Sequence, residues 1–211
     1  MLIFIVNRVK IYYDSYMQYQ TGVITMEADG RNTKLLISES YKKLVLLYPY
    51  EKITIKMITD GAGLIRPTFY NHFRDKNEVF EWILQEELIN ILHSLINNKM
   101  EKEAIKMIFV YFGNNKEFYK RLFMITGQNS FEEVFENSIF RIFFQILKNY
   151  SKDEKKLFLT RENISRYYSM GLVYIIKMWI SDADRNNMFA PEEVYESYIF
   201  LITHSLLDYI D

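Results

Sequence analysis

Cysteine is absent from all 211 residues, which excludes disulfides, thiolate metal ligands and cysteine nucleophiles together. The absence fits a reducing cytoplasm. Only three prolines and seven glycines interrupt the chain, so long stretches are free to be helical. No segment reaches the roughly 18 consecutive apolar residues that a membrane span requires, so no membrane partner is expected. The three histidines, His72, His93 and His204, are scattered and form no ligand cluster, so neither a metal nor a cofactor is expected. Alternating, strand-like patterns, internal repeats and low-complexity tracts are missing as well.

What is present is apolar and aromatic. Hydrophobic residues make up 49% of the chain and aromatic ones 17%, enough for a substantial core. The net charge is −1, but it is divided unevenly. Residues 31–80 carry nine basic and five acidic side chains, a net of +4, which leaves −5 elsewhere. A small basic region beside a larger acidic one is the electrostatic footprint of a modular DNA binder.

An enzyme reading finds little support. Ser40-Tyr-Lys-Lys43 has the spacing of a serine acyltransferase motif but none of its companions, and reads as part of a solvated helix face. Asp60-Gly-Ala-Gly63 follows no strand and precedes no Lys-Ser/Thr, so it is no phosphate cradle. Asn163-Ile-Ser165 matches a glycosylation site only in form. The chain is therefore not expected to be an enzyme.

The informative segment is Thr54-Ile-Lys-Met-Ile-Thr-Asp-Gly-Ala-Gly-Leu-Ile-Arg-Pro-Thr-Phe-Tyr-Asn-His-Phe-Arg-Asp-Lys76. It reads as two short helices joined by a glycine-rich turn, the layout of a helix-turn-helix. Thr54 can cap the first helix, and Ile55 and Ile58 give it an inner face. Gly61-Ala62-Gly63 tolerates positive φ and close helix approach. Pro67 suits the first turn of the second helix. That helix offers Arg66, Thr68 and Tyr70 outward, with His72 just beyond its end, whereas Phe69 and Phe73 belong to the core. Ile65 stands at its cap without a side-chain acceptor.

This segment resembles the DNA-binding domain of the TetR family of bacterial transcriptional regulators. Thr54, Ile55, Ile58, Ala62, Gly63, Thr68, Phe69, Tyr70, His72, Phe73 and Lys76 carry the resemblance in one ungapped stretch. Thr59 and Gly61 depart from it, standing where small Ala-like residues are usual, as does Ile65, where Ser or Asn is usual. The resemblance implies an all-α protein: a three-helix helix-turn-helix domain followed by a larger helical effector and dimerisation domain. It also implies double-stranded operator DNA as partner, with Thr54, Arg66, Pro67, Thr68, Tyr70, His72 and Lys76 as the DNA-binding residues. Arg66 and Thr68 are the candidates for base contact, and Tyr70 and Lys76 for phosphate clamping.

The expected boundaries are an N-terminal extension at 1–30, the DNA-binding domain at 31–76, and the helical domain at 77–211. The extension begins with the apolar run Met1 to Val6, which lacks the basic start of a signal peptide and is too short for its core. Two readings of it stay open, an over-long start upstream of Met26, which is preferred, or an arm packing through its tyrosines. Helices are expected from Asn32, over 54–71, as a long connector from Asp75 to Leu95, near 101–112, 116–126 and 131–149, then over 153–181 and 191–210.

Two further expectations concern the helical domain. Leu172, Ile175, Ile176 and Trp179 lie on a helix that is apolar nearly all round, and so do Tyr198 and Ile202. Such helices need burial on every side. The resemblance implies that they pair with a second copy, so these six are the expected homodimer interface. The aromatic excess between 78 and 150 suggests an apolar effector pocket with Trp82, His93, Tyr111, Phe112, Phe123 and Gln145 as candidates. The effector is an unidentified small molecule or protein. The run Gly171 to Trp179, followed by Pro191-Glu-Glu, more loosely resembles the C-terminal domain of dihydroxyacetone-kinase-operon regulators within the TetR family. That resemblance implies an alternative, in which a kinase-like protein partner is the signal and activation the output.

Overall fold

Ile37, Tyr41 and Val45 recur at helical spacing and are all buried, forming the inner face of helix α1 (Ala28–Leu47). Helix α1 belongs to a computed structural model that describes residues 28–128, 130–150, 158–181, 189–205 and 208. All regular structure among them is helical. Of the extension expected at 1–30, residues 1–27 lie outside the described residues, and 28–30 belong to α1.

Pro49 ends α1 and leads into a 3-10 turn, Tyr50–Lys52. Helix α2 (Ile55–Ala62) and helix α3 (Arg66–Tyr70) follow, then helix α4 (Lys76–Leu84). A π-helical turn, Gln85–Ile89, joins α4 to helix α5 (Asn90–Asn97). The chain divides into two compact units between Ile91 and Leu92. The second unit contains helices α6 (Glu101–Asn114), α7 (Lys116–Leu122), α8 (Phe131–Ile146), α9 (Arg161–Ser181) and α10 (Pro191–Thr203).

Several bounds differ from the sequence reading. Helix α1 starts at Ala28, ahead of Asn32, and takes in Gly30, against which the His72 ring packs. Helix α10 stops at Thr203 because His204 turns extended, with φ −116° and ψ 147°. Helix α7 ends at Leu122, and α8 passes into a 3-10 turn after Ile146. Residues 153–157, assigned to a helix from sequence, lie outside the described residues. The connector is helical as expected, but its π turn leaves no recognisable mark in the residue pattern. Glu86 and Glu87 of that turn pair with Arg31 and Lys42 of α1, so α1 holds the turn at two points.

The core of the second unit is aromatic. Phe112 lies 4.5 Å from Tyr119 and 4.6 Å from Phe135, centroid to centroid, with Phe123 and Phe131 each at 6.4 Å. Such spacings are those of packed aromatic pairs. Gly113 lets α6 approach α10, since a Cβ there would stand 2.5 Å from Pro191 Cγ.

Candidate nucleic-acid interface

The helix-turn-helix is built from α2 and α3. The Thr54 hydroxyl accepts from the Met57 amide at 3.2 Å and so caps α2. At the other end Gly63 takes φ +67°, with its amide bonded to Asp60 O and the Leu64 amide to Thr59 O. Gly61 is needed for a different reason. A Cβ there would stand 2.4 Å from Ser40 Oγ, which donates to Ile58 O at 2.8 Å. Ser40 is thus a buried tie between α1 and α2, not part of a solvated face. Thr59 also fits its place, because its hydroxyl bonds back to Ile55 O and Lys56 O.

Helix α3 is a little over one turn, anchored by Phe69 and by Phe73 just beyond it, both buried. Phe69 packs at 5.6 Å from Tyr70 and 5.7 Å from Phe73. Arg66, Pro67 and Tyr70 are exposed, and Thr68 is half-buried. The Arg66 guanidinium donates to Tyr70 Oη at 3.1 Å and lies 5.6 Å from the Tyr70 ring centroid. This i, i+4 pair holds the arginine head on the exposed face while its remaining donors stay available. His72 is half-buried against Gly30, which ties the end of α3 to α1.

Lys76 begins α4, which Asp75 caps through Asn77 N and Glu78 N. The Lys76 ammonium is not free-standing. It donates to Tyr50 O at 2.6 Å and Ile53 O at 3.1 Å, and sits 3.9 Å from the Tyr50 ring centroid. Burial pushes this ammonium below the usual lysine range, with nearby Glu51 opposing. Burial, aided by Asp75 and Glu51, pushes the Tyr50 hydroxyl up, and that hydroxyl donates to Asn77 Oδ1. Tyr50 is a member of this arrangement that sequence reasoning missed. Its partner lies 26 positions away, beyond any local pattern.

The pocket candidates do not form one site. Trp82 packs on Phe73, at 6.2 Å, in the first unit. Tyr111, Phe112 and Phe123 are buried in the aromatic core, where the Tyr111 and Tyr119 hydroxyls meet at 2.5 Å. His93 and Gln145 come together separately from these rings, at 2.6 Å. Gln145 Nε2 donates to Asn97 Oδ1, so its Oε1 faces His93, which then donates from Nδ1. An open groove of about 740 Å³ lies instead between α9 and α10, lined by Tyr167, Met170, Tyr174 and Leu201 among others, and by none of the six candidates.

The interface candidates need a similar correction. Leu172, Ile176, Trp179 and Tyr198 are buried within the single chain, while Ile175 and Ile202 are half-buried. Leu172, Ile176 and Trp179 belong to the unit's own core, whereas Ile175, Tyr198 and Ile202 also line the open groove between α9 and α10. The exposed stripe of α9 is Tyr167, Met170, Tyr174 and Met178, at spacings of three and four. Gly171 lies within it, exposed and with open space above it.

A compact helix-turn-helix with a polar, exposed second helix defines a DNA-binding regulator. Two family models match the chain: bacterial regulatory proteins of the tetR family over residues 42–83, and a transcriptional regulator C-terminal region over residues 101–196. The chain belongs to the TetR family of bacterial transcriptional regulators. It is 25% identical over 152 residues to the HTH-type dhaKLM operon transcriptional activator DhaS of Lactococcus lactis, covering 69% of this chain and 80% of that one. Among solved structures, the dihydroxyacetone kinase operon activator DhaS superposes with a TM-score of 0.59 at 23% identity, over 81% of this chain and 94% of that one. The TetR-family repressor FadR of Thermus thermophilus, in complex with lauroyl-CoA, gives a TM-score of 0.58 at 14% identity, over 82% and 94%. Among the described residues no helix is long and apolar enough to cross a membrane, and no group of side chains could hold a metal.

Proposed function

We propose that this TetR-family regulator works in the cytoplasm as a homodimer on a palindromic operator, with residues 31–76 contacting DNA and 77–211 dimerising and receiving an effector. The exposed Arg66–Tyr70 pair, fixed on a helix whose other side is buried phenylalanine, carries this reading. In a major groove Arg66 would meet guanine O6 and N7, and the Thr68 methyl a thymine. Thr54, Pro67, Tyr70, His72 and Lys76 would set the register on the backbone. Mobility-shift assays with genomic fragments test this directly. Arg66→Ala is expected to relax preference at one base position by roughly 1–3 kcal/mol while leaving nonspecific binding largely intact. Unchanged selectivity in that variant would remove the assignment of α3.

The dimer is proposed to form through the exposed stripe Tyr167, Met170, Tyr174 and Met178, with Leu201 of α10. A glycine inside a helix is unfavourable, and at Gly171 no neighbour among the described residues requires one, which suits a close crossing by a second copy. Light scattering should give about twice the 25.5 kDa chain mass. Tyr174→Asp should shift the protein to monomer at micromolar concentration. A monomer before any substitution would remove the reading.

Repression released by an effector is the first form of the output, with His93 and Gln145 as the polar elements of the sensing unit. A second form is activation in response to a protein partner, and the naming of the Lactococcus lactis relative as an operon activator favours it. DNA binding measured with small-molecule candidates and with a kinase-like protein separates the two.

A further inference from the structure

We propose that Ile65 is a specificity-determining residue that reads a thymine methyl beside the base contacted by Arg66. The inference rests on the DNA-binding reading of α3. Ile65 occupies the cap position of that helix, with an extended backbone at φ −95° and ψ 152° and no side-chain hydrogen bond. Oxygen caps stand at α2, α4 and α8, as Thr54, Asp75 and Ser130, whereas α6, α7 and α10 begin, like α3, without a side-chain cap bond. Here a β-branched hydrocarbon stands where an acceptor would satisfy free amides.

Among the described residues no side chain supplies the missing cap. Ile65 is 69% exposed, while the carbon-rich neighbours that anchor the helix, Phe69 and Phe73, are buried. Two local rules are broken at one position, an uncapped helix start and an exposed large apolar side chain. Local rules of this kind are characteristically broken at functional sites.

The position defines the ligand. The first residues of a recognition helix are those that meet base edges. Arg66, the next residue, is exposed and oriented by Tyr70, and Ile65 is exposed beside it at the start of the same helix. The 5-methyl of thymine is the one alkyl group on the major-groove edges of the four bases. An aliphatic side chain gains nothing from the polar groups and gains contact area from the methyl. Pro67, also exposed, adds a second apolar surface on the other side of Arg66.

Replacing each operator thymine singly by deoxyuridine removes the methyl and preserves base pairing. For the wild-type protein, substitution at the position read by Ile65 should weaken binding by about fourfold, the equivalent of one buried methyl group, separately from any position read by Thr68. Ile65→Ser should bind the thymine and deoxyuridine operators alike. The same variant should melt at a higher temperature, because serine restores the cap. Ile65→Val should keep most of the discrimination. If no deoxyuridine position couples to Ile65 while Arg66→Ala still alters selectivity, the inference is overturned and the DNA-binding reading stands. If neither variant changes selectivity, both fail.

Discussion

Phe112→Ala is expected to destabilise the second unit by about 3–5 kcal/mol, the range for emptying a buried phenylalanine site. Phe112 is fully buried, and four rings from outside its own helix surround it between 4.5 and 6.4 Å. Those rings come from α7, α8 and the turn after α7, so no single neighbour can move in to fill the space. The Tyr111–Tyr119 hydroxyl contact further restrains collapse from the α6–α7 side. Trp179 is buried in the same unit, so denaturant unfolding followed by its fluorescence in a Trp82→Phe background reports on this region. A shift in midpoint at constant slope would identify a loss of stability alone. A cost below about 1 kcal/mol would mean that the cluster already holds adaptable space. The effector pocket expected from sequence would then regain its place there.

That cluster also shows where the amino-acid pattern ceases to inform. Phe112, Phe123 and Tyr111 read equally well as the lining of a cavity or as filled core, because both demand apolar residues at helical spacing. Only the inter-ring distances decide. The same limit applies to α9. With Leu172, Val173, Ile176, Trp179 and Ile180 on one side and Tyr167, Met170, Tyr174 and Met178 on the other, neither side is polar enough to mark solvent. The neighbouring helices select the inward face, and those contacts are distant in sequence. Residues 54–76 behave differently. Their turn, caps and buried phenylalanines are set by residues three to nine positions apart, so the helix-turn-helix was legible before any coordinates. Ser40 marks the boundary of that legibility. Its role depends on Gly61, which lies in another helix, and its sequence neighbours suggested only an exposed polar face.

Lys76 combines both kinds of information, and its removal should be felt twice. Lys76→Met keeps the aliphatic stem but withdraws the ammonium from Tyr50 O, Ile53 O and the Tyr50 ring. Leaving part-buried carbonyl groups without that charged donor costs about 1–3 kcal/mol. The first unit should therefore melt earlier, with hydrogen exchange rising at the 3-10 turn and the start of α4. The second effect concerns DNA. An ammonium has three donors, and two are spent on carbonyls, so one remains to meet a phosphate oxygen. Its loss should weaken binding to specific and random duplexes alike. The log–log salt slope should fall by roughly 0.9 for each contact removed, hence by roughly 1.8 for two half-sites. Comparison with Tyr50→Leu separates the two effects. That substitution removes the ring but retains the backbone carbonyl and the lysine charge. It should reproduce part of the stability loss and leave the salt slope unchanged. If Lys76→Met lowers stability while the slope stays at its wild-type value, the lysine is a structural tie only, and the phosphate contact must come from Thr54 or Tyr70.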